Sequence, residues 1–320
     1  MLILCVEASH RKGLGHLFRA MTLYRHLEAV KLPCHVLINH HPPSLQLLTE
    51  RGIRHSVVDL ENPDPWEPNW IDRLAARAWI NDRHQTSASH ASRVAATGIP
   101  LVTFDDRGPG AAHADLHFAP LVFTDRTRLQ GRKIFTGPDF LILTPEIHAH
   151  RRPRKQLQRL IVSLGGSDTY GVTLKVLRLL RELERPATIH TGPAFAHRNE
   201  LQTLAERYWP ILERVDSLVA TFADFDLAIT GGGVTPFEAN AAGLPCLVVA
   251  NEDFEVEVGE YLQQRGSSLF LAHHEQLNIR ELRLGLDIAQ QTLETMSRHG
   301  LRQNPDRGAM NIVREIRHVL

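Results

Sequence analysis

The sequence is poor in the features that would staple, anchor or strongly charge a protein. It has only three cysteines, Cys5, Cys34 and Cys246, odd in number and far apart. They form neither a disulfide framework nor a C-x-x-C metal knuckle, so a reducing cytoplasm is the expected compartment. No apolar run approaches the ~20 residues of a membrane span. The apolar stretch Leu2 to Val6 is too short for a signal peptide and ends at Glu7, so it reads as a first buried strand. Neither sign of charge dominates: 36 Lys plus Arg face 36 Asp plus Glu. That balance argues against a general nucleic-acid binder, whose affinity comes from excess cationic side chains, but leaves room for a local anion site. What is present is ample apolar material, 43% of 320 residues. That suffices for buried cores and excludes a mainly disordered chain. The length suits two domains of about 150 residues each.

Short apolar runs alternate with amphipathic stretches. Strands are expected at Leu2–Val6, Cys34–Ile38 and His55–Leu60, with weaker ones at Ala78–Asn81, Leu101–Phe104 and Leu116–Phe118. Helices are expected at His16–Ala29, where Ala20, Leu23 and Leu27 share a face, at Ser44–Glu50, and around Ala88–Thr97. Asn62 to Asn69, rich in Pro and Trp, reads as a loop. The basic stretch His148 to Lys155 reads as a solvated linker, a nucleic-acid patch being the less favoured alternative. After it the pattern restarts, with strands at Leu160–Leu164, Ala187–His190, Leu227–Ile229 and Cys246–Val249, and helices at Thr173–Leu183, Asn199–Tyr208 and Pro236–Ala242. A last helix is expected at Asn311–Leu320. Strands alternating with helices indicate parallel α/β layers.

Three glycine turns follow strands. In the first, Lys12-Gly-Leu-Gly-His-Leu-Phe-Arg19, backbone N–H groups at a helix start suit an anion. It is a poor dinucleotide fingerprint: Phe18 stands where the third glycine belongs, and strand two ends in Asn39 rather than an acidic ribose ligand. His16 falls in the first helical turn at the carboxyl end of a strand, where open α/β sheets hold ligands. It reads either as a general base or as a surface histidine. In the second turn, Ser163 to Asp168, the glycines allow close approach, and Ser167 or Asp168 can cap the next helix. The third, Ile229-Thr-Gly-Gly-Gly-Val-Thr-Pro-Phe-Glu238, offers N–H groups to a diphosphate. Glu238 there can meet ribose hydroxyls, while Thr235 to Glu238 also reads as a capping box. No G-x-x-x-x-G-K-[ST] P-loop and no G-x-S-x-G elbow is present. His113 and His117, with His84 and His90 nearby, have helical ligand spacing but no third ligand of clear spacing, so no metal is expected.

Taken in order, Gly13-x-Gly15-His16-x-x-Arg19, Gly165-Gly166-Ser167-Asp168 and Gly231-Gly232-Gly233-x-Thr235-x-x-Glu238 followed by Gly243-Leu-Pro245 resemble the PseG/SpsG family. Asp105-Asp106 with Ala114-Asp115, and Gly137-Pro-Asp-Phe-Leu-Ile-Leu-x-Pro-Glu146, fit further segments of that family. It comprises the UDP-sugar hydrolase of pseudaminic acid synthesis and related spore-coat polysaccharide proteins, and is similar to MurG-type glycosyltransferases.

The resemblance implies an α/β protein of GT-B fold, with two Rossmann-like domains whose parallel sheets face each other across a cleft. The expected divisions are 1–149, 150–307 and a terminal helix, 308–320, packing back on the first domain. The residue matching the family's catalytic histidine is His16, which would activate water. Gly231, Gly232, Gly233, Thr235 and Glu238 would hold the nucleotide. N–H groups near Gly232 and Gly233 would stabilise charge on the leaving diphosphate, with Glu238 at the ribose. Gly13, Gly15, Arg19, Asp82, His84, Gly166, Ser167, Asp168, Phe254 and Glu255 would line the substrate. Two departures stand out. The family's Asp-x-Tyr is Asp82-Arg-His84 here, and its Asn-Gln pair is Phe254 and Glu255. The nucleotide half is thus retained and the sugar half rewritten. The leading reading is a UDP-sugar hydrolase. A UDP-sugar glycosyltransferase and a non-catalytic nucleotide-sugar binder are the alternatives. The scheme needs no cofactor or metal, and its partner is a UDP-sugar rather than nucleic acid or a membrane; the oligomeric state is open.

Overall fold

The computed structural model describes residues 1–8, 15–83, 85–166, 168–192, 195–205, 209–213 and 215–320. The chain divides into two compact units, Met1–Thr144 with Asp306–Leu320, and Pro145–Pro305.

In the first unit the described residues run β1 (Leu2–Val6), α1 (Gly15–Ala29), β2 (Cys34–Ile38), α2 (Pro42–Glu50), β3 (His55–Val57), α3 (Glu67–Leu74), β4 (Ala78–Asp82), α4 (Ala88–Ala96), β5 (Leu101–Phe104), β6 (Leu116–Ala119) and β7 (Lys133–Thr136). The strands form one parallel sheet in the order β3-β2-β1-β4-β5-β6-β7. Every residue of β1 is buried. This is why it reads as an unbroken apolar run: helices cover both faces of a parallel sheet. One face packs Leu17, Ala20, Leu23 and Leu27 of α1, together with Ala309, Ile312, Val313 and Ile316 of the C-terminal helix Arg307–Arg317. That helix starts at Arg307 rather than Asn311. The other face packs Trp79, Ala91 and Val94. Strand order reverses between β1 and β4, the topological switch point where such sheets open a crevice at their carboxyl ends. Val6 and Asp82 lie level there.

α3 replaces part of the loop expected over Asn62–Asn69. Pro68 is tolerated in its first turn. Glu67, fully buried, bonds the guanidinium of Arg93 at 2.7 Å through each of its oxygens and Nδ1 of His90 at 2.8 Å. Burial alone would raise its pKa, but these bonds outweigh it and hold the carboxyl at about 2.

The second unit runs α5 (Ile147–His150), β8 (Leu160–Ser163), α6 (Val172–Glu182), β9 (Thr188–His190), α7 (Arg198–Ala205), β10 (Ile211–Leu212), α8 (Leu218–Phe222), β11 (Leu227–Thr230), α9 (Thr235–Ala241), β12 (Cys246–Ala250), α10 (Asp253–Gln264), β13 (Ser268–His273) and α11 (Ile279–Leu301). Its parallel sheet has the order β10-β9-β8-β11-β12-β13, with its own switch point between β8 and β11. Nothing in the sequence reading assigns an element between Val249 and Asn311, yet α10, β13 and α11 fill most of it. Leu282, Leu286, Ala289 and Leu293 of α11 enter the core at alternating steps of four and three.

The basic stretch His148–Lys155 is not a solvated linker. Arg154 is fully buried and donates to the carbonyls of Arg152 (2.7 Å), Phe222 (2.9 Å), Phe225 (3.2 Å) and Ala242. Arg151 donates to Ala241 O and Gln303 O, and Arg152 to Ala223 O. These side chains satisfy carbonyls left open at helix ends, so the stretch belongs to the second unit. The division falls after Thr144 rather than after residue 149, and the later one after Pro305 rather than after residue 307. Burial pulls the Arg154 pKa down to about 9, leaving it charged at neutral pH.

Arg154→Met should destabilise the second unit by about 3–5 kcal/mol in chemical denaturation, because several buried carbonyls lose their donors together. Exposed Lys155→Ala should stay within about 0.5 kcal/mol of wild type. Equal small effects would return the stretch to the status of a linker.

Candidate functional site

At the switch point of the first unit, α1 places His16 and Arg19 one turn apart, beside the end of β4. His16 Nδ1 lies 2.5 Å from Asp82 Oδ1. Arg19 grips the same carboxylate with a two-pronged fork, Nε to Oδ2 at 2.9 Å and Nη2 to Oδ1 at 2.6 Å. Its remaining Nη1 donates to Asp105 Oδ2 at 2.5 Å. The guanidinium also sits 5.1 Å from the Phe104 ring centroid. Asp105 follows β5 at φ +47°, a left-handed conformation uncommon outside glycine, and donates its N–H to Phe118 O. Next to it, buried Asp106 accepts from Thr86 N, Gly108 N and Thr103 Oγ1 and so frames the loop after β5.

Burial would raise the Asp82 pKa, but the charge of Arg19 and the bonds from Arg19 and His16 prevail and hold it at about 2. An ionised carboxylate only accepts hydrogen bonds, so the proton on Nδ1 belongs to His16. The 3.2 Å approach of Arg19 Nη2 to that nitrogen is then proximity, not a bond. The neutral imidazole has its lone pair on Nε2. Arg19 and Asp82, expected to line the substrate, bond each other, and Asp82 bonds His16. Asp105 is the member of this group that carried no role in the sequence reading, although it stands in the Asp105-Asp106 pair. Gly15 opens α1 with no neighbour within 4 Å of a would-be Cβ. Gly13, His84 and Ser167 lie outside the described residues.

In the second unit, Gly165 and Gly166 follow β8 and Gly231 to Gly233 follow β11, on either side of the switch point. Asp168 at φ +45° is buried, and its carboxylate accepts from Val172 N and Thr173 N, both at 2.8 Å. It thus caps the first turn of α6, the bonding expected of Ser167 or Asp168 there. The capping box at Thr235–Glu238 does not form. Thr235 is already the first residue of α9, and Val234 occupies the cap position without a side-chain bond. Glu238 sits half-buried in the first turn.

The turn at Gly231–Gly232 is shaped by α10. A Cβ on Gly231 would lie 2.7 Å from Asn251 Nδ2, and one on Gly232 would lie 2.5 Å from the Glu255 Cβ. Glycine is required at Gly232, where Glu255 Cβ and backbone fill the space, whereas at Gly231 the close atom is the movable end of the Asn251 side chain. Glu255 Oε2 accepts from Gly232 N at 2.9 Å and from Asn251 N at 2.8 Å. The Gly232 N–H assigned above to a diphosphate is therefore already held by a carboxylate. Phe254, beside it, is largely exposed.

The His113 and His117 pair is split. His117 is buried between Gln130 O and Asp106 N, whereas the nearest partner of His113 is the Ser92 hydroxyl. Among the described residues no group of three or more His, Cys, Asp or Glu could hold a metal ion, and no helix is long and apolar enough to cross a membrane. All three cysteines are buried, and burial raises each thiol to about 12, which leaves no thiolate nucleophile.

No family model matches the chain. The spore coat polysaccharide biosynthesis protein SpsG of Bacillus subtilis is 25% identical over 334 residues, covering 96% of this chain and 92% of SpsG. An uncharacterised protein of Methanocaldococcus jannaschii is 25% identical over 288 residues, 82% of this chain but only 58% of that longer relative. Three solved structures superpose on nearly the whole chain. A glycosyltransferase of Rickettsia africae has TM-score 0.72 at 12% identity, covering 99% of this chain and 98% of its own. MurG of Acinetobacter baumannii has TM-score 0.65 at 14%, covering 99% of both. UDP-GlcNAc 2-epimerase of Neisseria meningitidis, bound to UDP-GlcNAc, has TM-score 0.63 at 13%, covering 99% and 100%. The protein has the GT-B fold of MurG-like glycosyltransferases, built from two parallel-sheet α/β units.

The depressed pKa of Asp82 has a definite sign. Its contribution to stability is whole above the ordinary carboxylate value near 4 and is lost as pH falls through about 2. Asp82→Asn should lower stability at pH 7 by about 3–5 kcal/mol and flatten the decline between pH 4 and 2. Melting temperature against pH reads both, and an unchanged acid limb would show that Asp82 is not the paired anion described here.

Proposed function

We propose that the protein is a nucleotide-sugar-processing enzyme that cleaves the anomeric C–O bond of a UDP-sugar and releases UDP in surface-glycan or nonulosonic acid biosynthesis. The observation that carries this reading is His16, held at the switch point by a buried, ionised Asp82 that fixes its tautomer. As general base, His16 Nε2 takes a proton from water. The water oxygen bonds to the anomeric carbon, and the bond to the diphosphate oxygen breaks, its electron pair leaving with UDP. Asp82 faces the positive charge that develops on the imidazole, and Arg19, itself anchored by Asp105, keeps that carboxylate ionised and in place. The nucleotide is assigned to the second unit, at Gly231–Gly233, Thr235 and Glu238, with Glu238 at the ribose. The resemblance to SpsG and the UDP-GlcNAc held by the epimerase of the same fold support a nucleotide-sugar ligand. No step calls on a cofactor, and the enzyme is assigned to the cytoplasm.

A glycosyltransferase is the second reading, favoured by the neighbours of that activity. The same base would then deprotonate a sugar hydroxyl. A panel of UDP-, CMP- and GDP-sugars, assayed for nucleotide release with and without sugar acceptors, separates the two. Release in water alone marks a hydrolase, and release only with an acceptor marks a transferase. Tight UDP binding with no turnover under any condition would leave a binding protein.

His16→Asn should cut turnover by about 10²–10⁴ with little change in UDP affinity. Wild-type turnover by that variant would remove His16 from the chemistry. Glu238→Ala should weaken UDP binding by about 1–3 kcal/mol in calorimetry, and a folded variant with unchanged affinity would remove Glu238 from the nucleotide site.

A further inference from the structure

Glu255 is an unusual carboxylate. It is only 8% exposed, and among the described residues no cation pairs with it. Two backbone N–H groups, of Gly232 and Asn251, hold its Oε2, and the Asn251 side chain also hydrogen-bonds the carboxylate. Oε1 lies on the side of the glycine turn, 4.0 Å from where a Cβ on Gly233 would stand. Burial is the main influence on its pKa, which is raised. Capping explains part of this arrangement: a Glu in the third position of a helix commonly reaches back to a backbone N–H just before it, as Glu255 does to Asn251. Capping does not explain the bond to Gly232, which belongs to another element, nor a glycine whose Cβ position is filled by Glu255. A buried carboxylate without a counter-charge is costly, and one set in a ligand crevice marks a functional position.

We propose that Glu255 sets the charge preference of this turn. Seated on the Gly232 N–H, it keeps the terminal phosphate of a free nucleoside diphosphate off that donor, and its Oε1 accepts a hydrogen bond from a hydroxyl of the sugar. The site thereby prefers the sugar diphosphate over the free diphosphate. The inference rests on the nucleotide-sugar reading. In a sugar diphosphate the terminal phosphate is esterified and carries one negative charge fewer, so a fixed carboxylate repels it less. A hydroxyl on the sugar donates to Oε1, which a bare phosphate dianion cannot do. The consequence for turnover is that the product is bound less tightly than the substrate it came from.

Calorimetric titration with UDP, UDP-glucose, UDP-galactose and UDP-GlcNAc tests this on the full chain. Wild type should bind at least one of these sugars about tenfold more tightly than UDP. Glu255→Gln keeps an oxygen for the two N–H groups and removes the charge, so UDP should bind it about tenfold more tightly than it binds wild type, and the preference for the sugar should shrink. UDP affinity within twofold of wild type, or weaker, in a Gln variant of normal melting temperature overturns the proposal. So does a wild type that binds UDP as tightly as every sugar, a readout that needs no variant. No binding of any of the four probes to wild type would instead sink the nucleotide-sugar reading, and this inference with it.

Discussion

The first unit's site depends on one carboxylate. Asp82 ends β4 level with Val6, inside the sheet's switch point, and takes the fork of Arg19 and the imidazole of His16 together. An unpaired carboxylate at 2% exposure would be costly. With Arg19 beside it, the same burial strengthens the attraction and holds the group ionised. Arg19 in turn needs Asp105, because one carboxylate cannot occupy all its donors. The positive φ of Asp105 is the local strain that brings its side chain to Arg19. A chain of charges from β5 through α1 to β4 thus ends in an imidazole of defined tautomer.

The two units repeat one strand order around their switch points, yet arm them differently. In the first, side chains of opposite charge converge. In the second, the charged side chains near the turns face backbone N–H groups: Asp168 on α6, and Glu255 on Gly232 and Asn251. Glycine serves a packing purpose there as much as a ligand purpose, because α10 enters the space that a side chain on Gly232 would fill. A glycine-rich entry to a helix is therefore not by itself an open anion cradle.

The alternation of strands and helices was legible because a parallel sheet covered on both faces writes its strands as plain apolar runs. His16 and Asp82 were legible through motif position, and the ionic geometry joining them was not, since their contact spans 66 residues of sequence. α11 carried a readable signal: Leu282, Leu286, Ala289, Leu293 and Met296 keep helical spacing, diluted by the charged and amide residues between them. Arg154 and Glu67 were beyond reach. Nothing local in a basic run or a Pro- and Trp-rich loop announces that one charged residue will be buried against carbonyls or a distant His–Arg pair. Glu255 was visible as an acidic replacement of an amide, but which donors it would take depends on how α10 meets the glycine turn.

The C-terminal helix Arg307–Arg317 belongs to the core begun by β1. During synthesis that core lacks one of its helices until Arg307–Arg317 has been made, while the second unit is one continuous stretch. At roughly 5–20 residues per second, the apolar surface left for Ala309, Ile312, Val313 and Ile316 waits about 10–35 s after Thr144 is added. The first unit's core is thus completed only after the whole of the second unit has been made.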